Sequence, residues 1–203
     1  MAISLTKSLL KLHELQIPHP RWEFVQSPEE LKRYYNLRDY CGWTIRSLLE
    51  AKEHPDGKPF HVNWVYKPDV PRRIEEFRQS LDGKGWFVVY PSWKWNAGGT
   101  LLLDNKQLVI EAVKGAIYNL LKGVRRDVTL IHDRESKQTL FTKGEKELVP
   151  IEVKTKLFET ADKLRDDNYI LEWAITTENK LIFYNLELLK DAQKRLLDKY
   201  SKQ

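Results

Sequence analysis

Three strand–turn–strand patterns follow one another in the second half of the chain, and they constrain its fold more than any other feature. Each has two apolar segments of strand length joined by a short polar turn, and they occupy residues 98–113, 127–144 and 168–189. Strands joined by so short a turn pair antiparallel, because a parallel pair needs a crossover of a dozen or more residues. The second half is therefore predicted to form a mostly antiparallel sheet.

Helical patterns lie between and around these strands. Leucines at helical spacing predict a helix over residues 5–15 that ends before Pro18. Further helices are predicted over 27–31, 70–81, 114–123, 151–166 and 188–200, and further strands over 41–49, 58–68 and 86–93. This mixture predicts an α+β fold with mostly antiparallel sheets and flanking helices. We expect a single domain over 1–203, with an N-terminal lobe over about 1–90 and a C-terminal lobe over about 91–203.

Composition narrows the classes of protein to consider. The single cysteine, Cys41, excludes a disulfide framework and a cysteine-built metal site, and it fits a reducing cytoplasm. No apolar run approaches the roughly 20 residues of a membrane span, so we expect a cytoplasmic protein without a membrane partner. The net charge of +5 allows a nucleic-acid or nucleotide partner. Because basic and acidic residues are interleaved, a solvated surface is favoured over a nucleic-acid interface.

Three charged residues interrupt apolar strand segments: Arg46 in GWTIRSLL, Glu111 in LVIEAV and Glu172 in ILEWAI. Charged side chains are rarely buried unless they are paired or bind a metal. Each could lie on an exposed strand edge or form a structural ion pair, such as Arg46 with either glutamate. Together they would also suit a polyphosphate with its magnesium ion, because arginine binds phosphate oxygens and carboxylates bind the hard cation.

Histidines and aromatic residues give weaker signals. The five histidines form no HxH or HExxH unit, and His132, before Asp133, is interpreted as part of a surface turn. Trp93 and Trp95 flank Lys94, a mixture that could stack on the bases of a single strand. Aromatic residues at strand spacing are more typical of a core or a lobe interface.

The order of several short motifs resembles the nucleotide-binding domain of phosphoenolpyruvate synthases and pyruvate phosphate dikinases. ILEWAITTENKLIFYN resembles the family segment D-I-E-W-A, a turn and L-F-I-V-Q-A-R. LHELQIPHPRWEFVQSPEEL is similar to the family opening L-x-E-x-G-I-P-V-P-x-G-F, TIRS to its V-R-S strand, and GTLLLDNKQLVIEAVKG to its G-V-A-F-T and I-V-I-E-A-V-W-G hairpin. The resemblance implies an ATP-grasp-like fold, truncated and partly degenerate, that binds ATP and Mg²⁺ between two lobes.

Site residues follow from the resemblance, position by position. It implies that Glu172, Glu111 and Asn185 are metal ligands. It implies that Arg46 contacts the nucleotide phosphates, with Lys7 or Lys11 near the position of a phosphate-binding lysine. The family's aspartate two residues before the glutamate is Ile170 here, and its arginine after the glutamine is replaced by Leu186 or Glu187. The glycine-rich loop after the V-R-S strand is reduced to Gly57, and we expect neither the phosphohistidine domain nor the phosphoenolpyruvate barrel in 203 residues.

Hairpin parity leaves the position of Asn185 open. With the five-residue loop TTENK, Glu172 lies opposite Tyr184, so Asn185 points to the other face. A one-residue bulge or a six-residue loop would place Asn185 beside Glu172.

The leading hypothesis from the motifs and the resemblance is an ATP- and magnesium-binding domain, a phosphotransferase or a subunit of one. The alternatives are a non-catalytic module for a separately encoded protein partner, binding around Trp93 and Trp95, and a single-stranded nucleic-acid binder.

Overall fold

A computed structural model describes residues 5–31, 42–49, 59–121 and 123–193. The chain divides into two compact units: residues 1–19 with 95–203, and residues 20–94. The helices are α1 (Leu5–Glu14), α2 (Val70–Ser80), α3 (Tyr118–Leu121) and α4 (Ile151–Lys163). The strands are β1 (Glu23–Val25), β2 (Gly42–Ser47), β3 (His61–Val65), β4 (Phe87–Ser92), β5 (Trp95–Leu103), β6 (Gln107–Lys114), β7 (Val128–Asp133), β8 (Thr139–Gly144), β9 (Tyr169–Thr176) and β10 (Leu181–Leu188).

The 20–94 unit is an antiparallel sheet of four strands in the order β1-β4-β2-β3. Helix α2 starts with a proline in its first turn, where the missing N–H costs no hydrogen bond, and it buries Val70 and Ile74. These two side chains pack with Trp43, Ile45 and Phe87 in a small apolar core. Burial of these side chains is the main stabilising contribution within this unit.

The larger unit contains a six-stranded antiparallel sheet in the order β10-β9-β5-β6-β7-β8. The three predicted hairpins are confirmed as β5–β6, β7–β8 and β9–β10, and pairing of β5 with β9 joins them into one sheet. One face carries Leu101, Ile110 and Leu171, which are fully buried and pack with Leu157 of α4 and Leu12 of α1. The opposite face carries the residues at the alternate positions of each strand.

Helix α1 and the residues after it lie along the outer edge of β10. The buried Ser8 hydroxyl accepts the Leu186 backbone N–H at 2.8 Å, and the Pro18 carbonyl accepts that of Phe183 at 2.8 Å. Unpaired edge groups are a liability, and this segment satisfies two of them. The predicted N-terminal lobe over 1–90 therefore differs from the observed unit, because residues 1–19 group with the C-terminal strands and the later boundary falls between Lys94 and Trp95.

Local predictions differ from the structure in three further places. The prediction of His132 in a surface turn is wrong: the residue is 2% exposed and packs edge-on against Phe158 of α4, because β7 turns it to the core face. The helix predicted over 27–31 is a single 3₁₀ turn, Pro28–Glu30, and α3 is shorter than the predicted 114–123. Gly57, and the predicted C-terminal helix beyond residue 193, lie outside the described residues. None of the described helices has the length and apolar character that crossing a bilayer requires.

Candidate nucleotide and metal site

A row of polar residues crosses the six-stranded sheet on the face opposite its core. Each member is paired with its neighbour across the strands, and residues paired in this way share a face. From β10 to β8 the row consists of Asn185, Glu172, Thr100, Glu111, Thr129 and Lys143. Sheet geometry therefore places both predicted glutamates and Asn185 on one surface.

A bulge in β10 brings Asn185 beside Glu172. Phe183 pairs with Trp173 and Asn185 with Glu172, so Tyr184 is the extra residue. The Tyr184 ring stacks on Trp95, with centroids 4.9 Å apart and planes 11° from parallel. This stacking gives the extra residue a favourable position. Of the three arrangements that the sequence left open for Asn185, the bulge is the one that forms.

The side chain of Glu172 is held by an amide. Asn185 Nδ2 donates to Glu172 Oε1 at 3.3 Å, while Asn185 Oδ1 accepts from the Ser8 hydroxyl at 3.4 Å. Within the described part of the chain, no lysine, arginine or histidine forms an ion pair with Glu172, although the residue is partly buried. A partly buried carboxylate without a cation beside it is unfavourable on its own. Its position therefore suits a carboxylate that binds a cation.

Glu111 lies in a different electrostatic environment. Its Oε1 is 3.0 Å from Nε of Arg126, and the two side chains are 21% and 56% exposed. Glu111 and Glu172 both pair with Thr100, so two strand spacings, roughly 10 Å, separate their backbones. Because Arg126 already compensates the charge of Glu111, Glu172 is the stronger candidate for a metal ligand.

Glu187 is a site candidate that sequence reasoning missed. It lies two residues after Asn185 on β10 and pairs with Ile170, so it shares the face of Asn185 and Glu172. The resemblance had placed a family arginine at Leu186 or Glu187, and the carboxylate of Glu187 was therefore not considered as a ligand. The alternation of β10 beyond the bulge was the signal that could have found it.

The residues predicted to bind phosphate and the residues predicted to bind the metal do not all belong to one unit. Arg46 lies on β2 of the 20–94 unit, paired with His61 and Val88. His61 is exposed on one side of β3, but desolvation by its neighbours, and secondarily the charge of Arg46, lowers its pKa to about 4. Glu111, Glu172 and Asn185 belong to the other unit.

The two predicted lysines lie on α1. Lys7 is exposed. Nζ of Lys11 lies 2.7 Å from Asp166 Oδ2 and 4.6 Å from the ring centre of Tyr169, a residue of the core face. Because its charge is compensated there, Lys11 is a poor phosphate ligand, and Lys7 stays a prediction.

The oxygen donors around Glu172 fit a magnesium ion that is also bound by a phosphate ligand. Among the described residues, no group of three or more histidine, cysteine, aspartate or glutamate side chains could hold a metal ion by itself. Glu172 and Glu187 supply carboxylate oxygens, whereas Asn185, predicted as a third ligand, turns its Nδ2 to Glu172 and its Oδ1 to Ser8 and so orients the carboxylate instead. Magnesium is usually bound by one or two carboxylates together with substrate phosphates and water. These residues therefore fit a magnesium ion that arrives with a phosphate ligand.

The chain has the ATP-grasp fold, an α+β architecture with two antiparallel sheets. It is similar to an N5-carboxyaminoimidazole ribonucleotide synthetase solved with ADP, at a TM-score of 0.54 and 11% identity over 91% of this chain and 44% of that one. It is also similar to the carboxyaminoimidazole ribonucleotide synthase of Aspergillus clavatus solved with ATP, at 0.54 and 10% identity over 91% and 44%. The ATP-grasp ligase PsnB, solved with a minimal precursor, matches at 0.50 and 13% identity over 91% and 51%.

These likenesses establish the fold and no more, because the identities are low. The chain spans less than half the length of the first two structures. No protein-family model and no curated protein sequence matches it.

Proposed function

We propose that this protein binds ATP together with Mg²⁺, with Glu172 and Glu187 as metal ligands and Asn185 as the residue that orients Glu172. The observation that carries the proposal is Glu172 itself, a partly buried carboxylate that faces an oriented amide and forms no ion pair within the described residues. The fold supports it, because two similar structures were solved with ADP and with ATP. Glu111 stays a weaker candidate because of its ion pair with Arg126.

The ion would neutralise phosphate charge, since magnesium is usually held by one or two carboxylates together with substrate phosphates. The protein's part is to hold the donors in place before the nucleotide arrives. Ser8 accepts from the Leu186 N–H and donates to Asn185 Oδ1, which leaves Asn185 Nδ2 directed to Glu172. Arg46 is proposed as a phosphate-binding residue on the resemblance of its TIRS strand.

Two reaction classes follow from different observations. The similar structures named above are a ligase, a synthetase and a synthase, which favours an ATP-dependent ligation. The order of sequence motifs favours phosphoryl transfer of the phosphoenolpyruvate synthase type, in the chain itself or with a separately encoded partner. The replacement of the family's aspartate by Ile170 counts against the second class, since it removes one metal ligand.

A non-catalytic partner-binding module is the alternative to an enzyme. Trp95, one of the two tryptophans predicted to form its contact surface, packs instead with Val113, Ile117 and Leu120 and stacks on Tyr184. That packing leaves less of Trp95 available to a partner. ATP binding is therefore the first property to test.

Isothermal titration calorimetry with ATP, with and without magnesium, tests the proposal. We expect saturable binding to the wild type that is strengthened by magnesium, and a loss of about tenfold or more in Glu172→Gln. Glu159→Gln, on an exposed position of α4, is the matched control and should bind as the wild type does. Absence of saturable ATP binding to the wild type would overturn the proposal, and so would full magnesium dependence in Glu172→Gln.

Two further variants separate the proposed roles. Glu187→Gln should reduce the strengthening by magnesium and leave magnesium-free ATP affinity unchanged. Arg46→Gln should weaken ATP binding both with and without the metal, because arginine engages phosphate oxygens directly. The opposite pattern would exchange these two assignments.

A further inference from the structure

Two histidines near the end of α1 form a compact pair away from the polar row. Nδ1 of His13 lies 3.2 Å from Nε2 of His19, and the two rings meet at 62° with centroids 5.3 Å apart. We infer that this pair is a surface binding site for a divalent transition-metal ion of the copper, nickel and zinc class. The inference is independent of the proposed ATP site, which uses oxygen donors and magnesium.

The distance between the two nitrogens suits a shared metal ion. Zinc–imidazole bonds are about 2.0–2.1 Å, so two ligands of one ion lie about 2.8–3.0 Å apart at a right angle and about 3.3–3.4 Å apart in a tetrahedron. The observed 3.2 Å falls between these limits. Imidazole nitrogens favour copper, nickel and zinc, whereas calcium and magnesium prefer oxygen. The same spacing allows a hydrogen bond between the rings, which a metal ion would replace.

The backbone between the two histidines is fixed before any metal binds. The Gln16 N–H donates to the His13 carbonyl at 2.9 Å, and the Ile17 N–H donates to that of Leu12 at 2.9 Å. Lys163 Nζ donates to the Leu15 and Gln16 carbonyls at 3.0 and 3.1 Å, and Gln16 adopts a left-handed φ of 51°.

These contacts close a tight turn whose far end is anchored on β10. Ile17 is 1% exposed, and the Pro18 carbonyl accepts the Phe183 N–H from that strand. The pair is thus presented by a rigid turn, which lowers the ordering cost of metal binding.

The pair also joins two segments of the larger unit. His13 belongs to α1, and His19 follows the residue that pairs with β10. An ion bound only by the folded chain stabilises it by mass action. Metal binding at this pair should therefore raise the melting temperature as well as register in a direct titration.

The test uses the full chain without a histidine tag, freed of metal by chelation and dialysis. Ni²⁺ is titrated calorimetrically, and Cu²⁺ is added for electron paramagnetic resonance. We expect one saturable Ni²⁺ site that weakens by about tenfold or more in His13→Gln and in His19→Gln. The Cu²⁺ spectrum should show two nitrogen ligands in the wild type and one in either variant. His61→Gln, on β3 of the other unit, is the matched control and should leave the site unchanged.

Three results would overturn the inference: no saturable Ni²⁺ binding to the wild type, unchanged affinity in both single variants, or an equal loss in His61→Gln. The last two would mean that the metal is bound by other histidines. Circular dichroism of each variant confirms that the chain is folded. Magnesium-dependent ATP binding, measured on the same His13→Gln sample, shows whether the two sites fail separately.

Discussion

Replacing Ser8 with alanine removes the one hydroxyl that serves both the edge of the larger sheet and the metal-site candidate. Its oxygen accepts the Leu186 N–H at 2.8 Å, and its proton is directed to Asn185 Oδ1 at 3.4 Å. Ser8 and Leu186 are both 0% exposed, so water cannot replace the lost acceptor without local opening. The variant should be less stable than the wild type.

The expected magnitude follows from the buried amide. A buried donor left without a partner costs about 1–3 kcal/mol, whereas the longer bond to Asn185 contributes little. A loss of about 2 kcal/mol lowers the melting temperature of a chain of this size by about 4–8 °C. ATP affinity should also fall, because the Asn185 amide loses the hydrogen bond that orients it.

Urea unfolding followed by circular dichroism measures the free energy of unfolding. Hydrogen exchange of the Leu186 amide, measured by NMR, shows whether the loss of stability arises at this hydrogen bond. Ser80→Ala is the matched control: that hydroxyl donates to the Glu76 carbonyl at an exposed position of α2 and should change stability by about 0.5 kcal/mol or less. Equal unfolding midpoints for Ser8→Ala and the wild type, with unchanged exchange of the Leu186 amide, would refute the reasoning.

Two further predictions concern His61 and Gly99. Because the pKa of His61 is lowered to about 4, the unfolded chain binds more protons than the folded one between pH 4 and 6.5. The stability that His61 contributes is therefore complete above pH 6.5 and lost as the pH falls toward 4, and NMR titration of Arg46→Gln should show a higher pKa for His61. In Gly99→Ala, the new Cβ would lie 2.2 Å from the Glu111 carbonyl oxygen and 2.4 Å from the Trp173 ring, so urea unfolding should show a loss of about 1–3 kcal/mol or more. A stability of Gly99→Ala equal to the wild type would mean that the sheet shifts freely at this position.

The parts of the fold that the sequence predicts are those set by neighbouring residues. Short turns and apolar runs gave all three hairpins, and the α+β, ATP-grasp-like class is confirmed. The position of α1 depends instead on β10, whose Leu186 and Phe183 N–H groups donate to the Ser8 hydroxyl and the Pro18 carbonyl, across most of the chain. No local pattern encodes such a contact. The burial of His132 against α4 escaped prediction for the same reason.

The sequence indicated which residues form the candidate site, but it indicated less well which residues lie beside each other in it. Glu172 stood out because a carboxylate interrupts an apolar strand. Its neighbour Asn185 depended on a bulge at Tyr184, which the stack on Trp95 favours from another strand. An ion pair of Arg46 with either glutamate was suggested, but Glu111 pairs with Arg126, which follows α3 in the sequence.

The packing of α1 on the edge of β10 has a consequence for the order in which the parts of the protein fold. Ser8 and Leu186 are separated by 178 positions, and the whole 20–94 unit is synthesised between them. Leu9, Leu12 and Ile17 are buried in the folded chain, and their burial cannot be complete before β10 has been synthesised. The 20–94 unit can fold before then, because all four strands of its sheet lie within residues 20–94. Helix α1 is thus synthesised well before β10, but it cannot pack on that strand until the strand has formed.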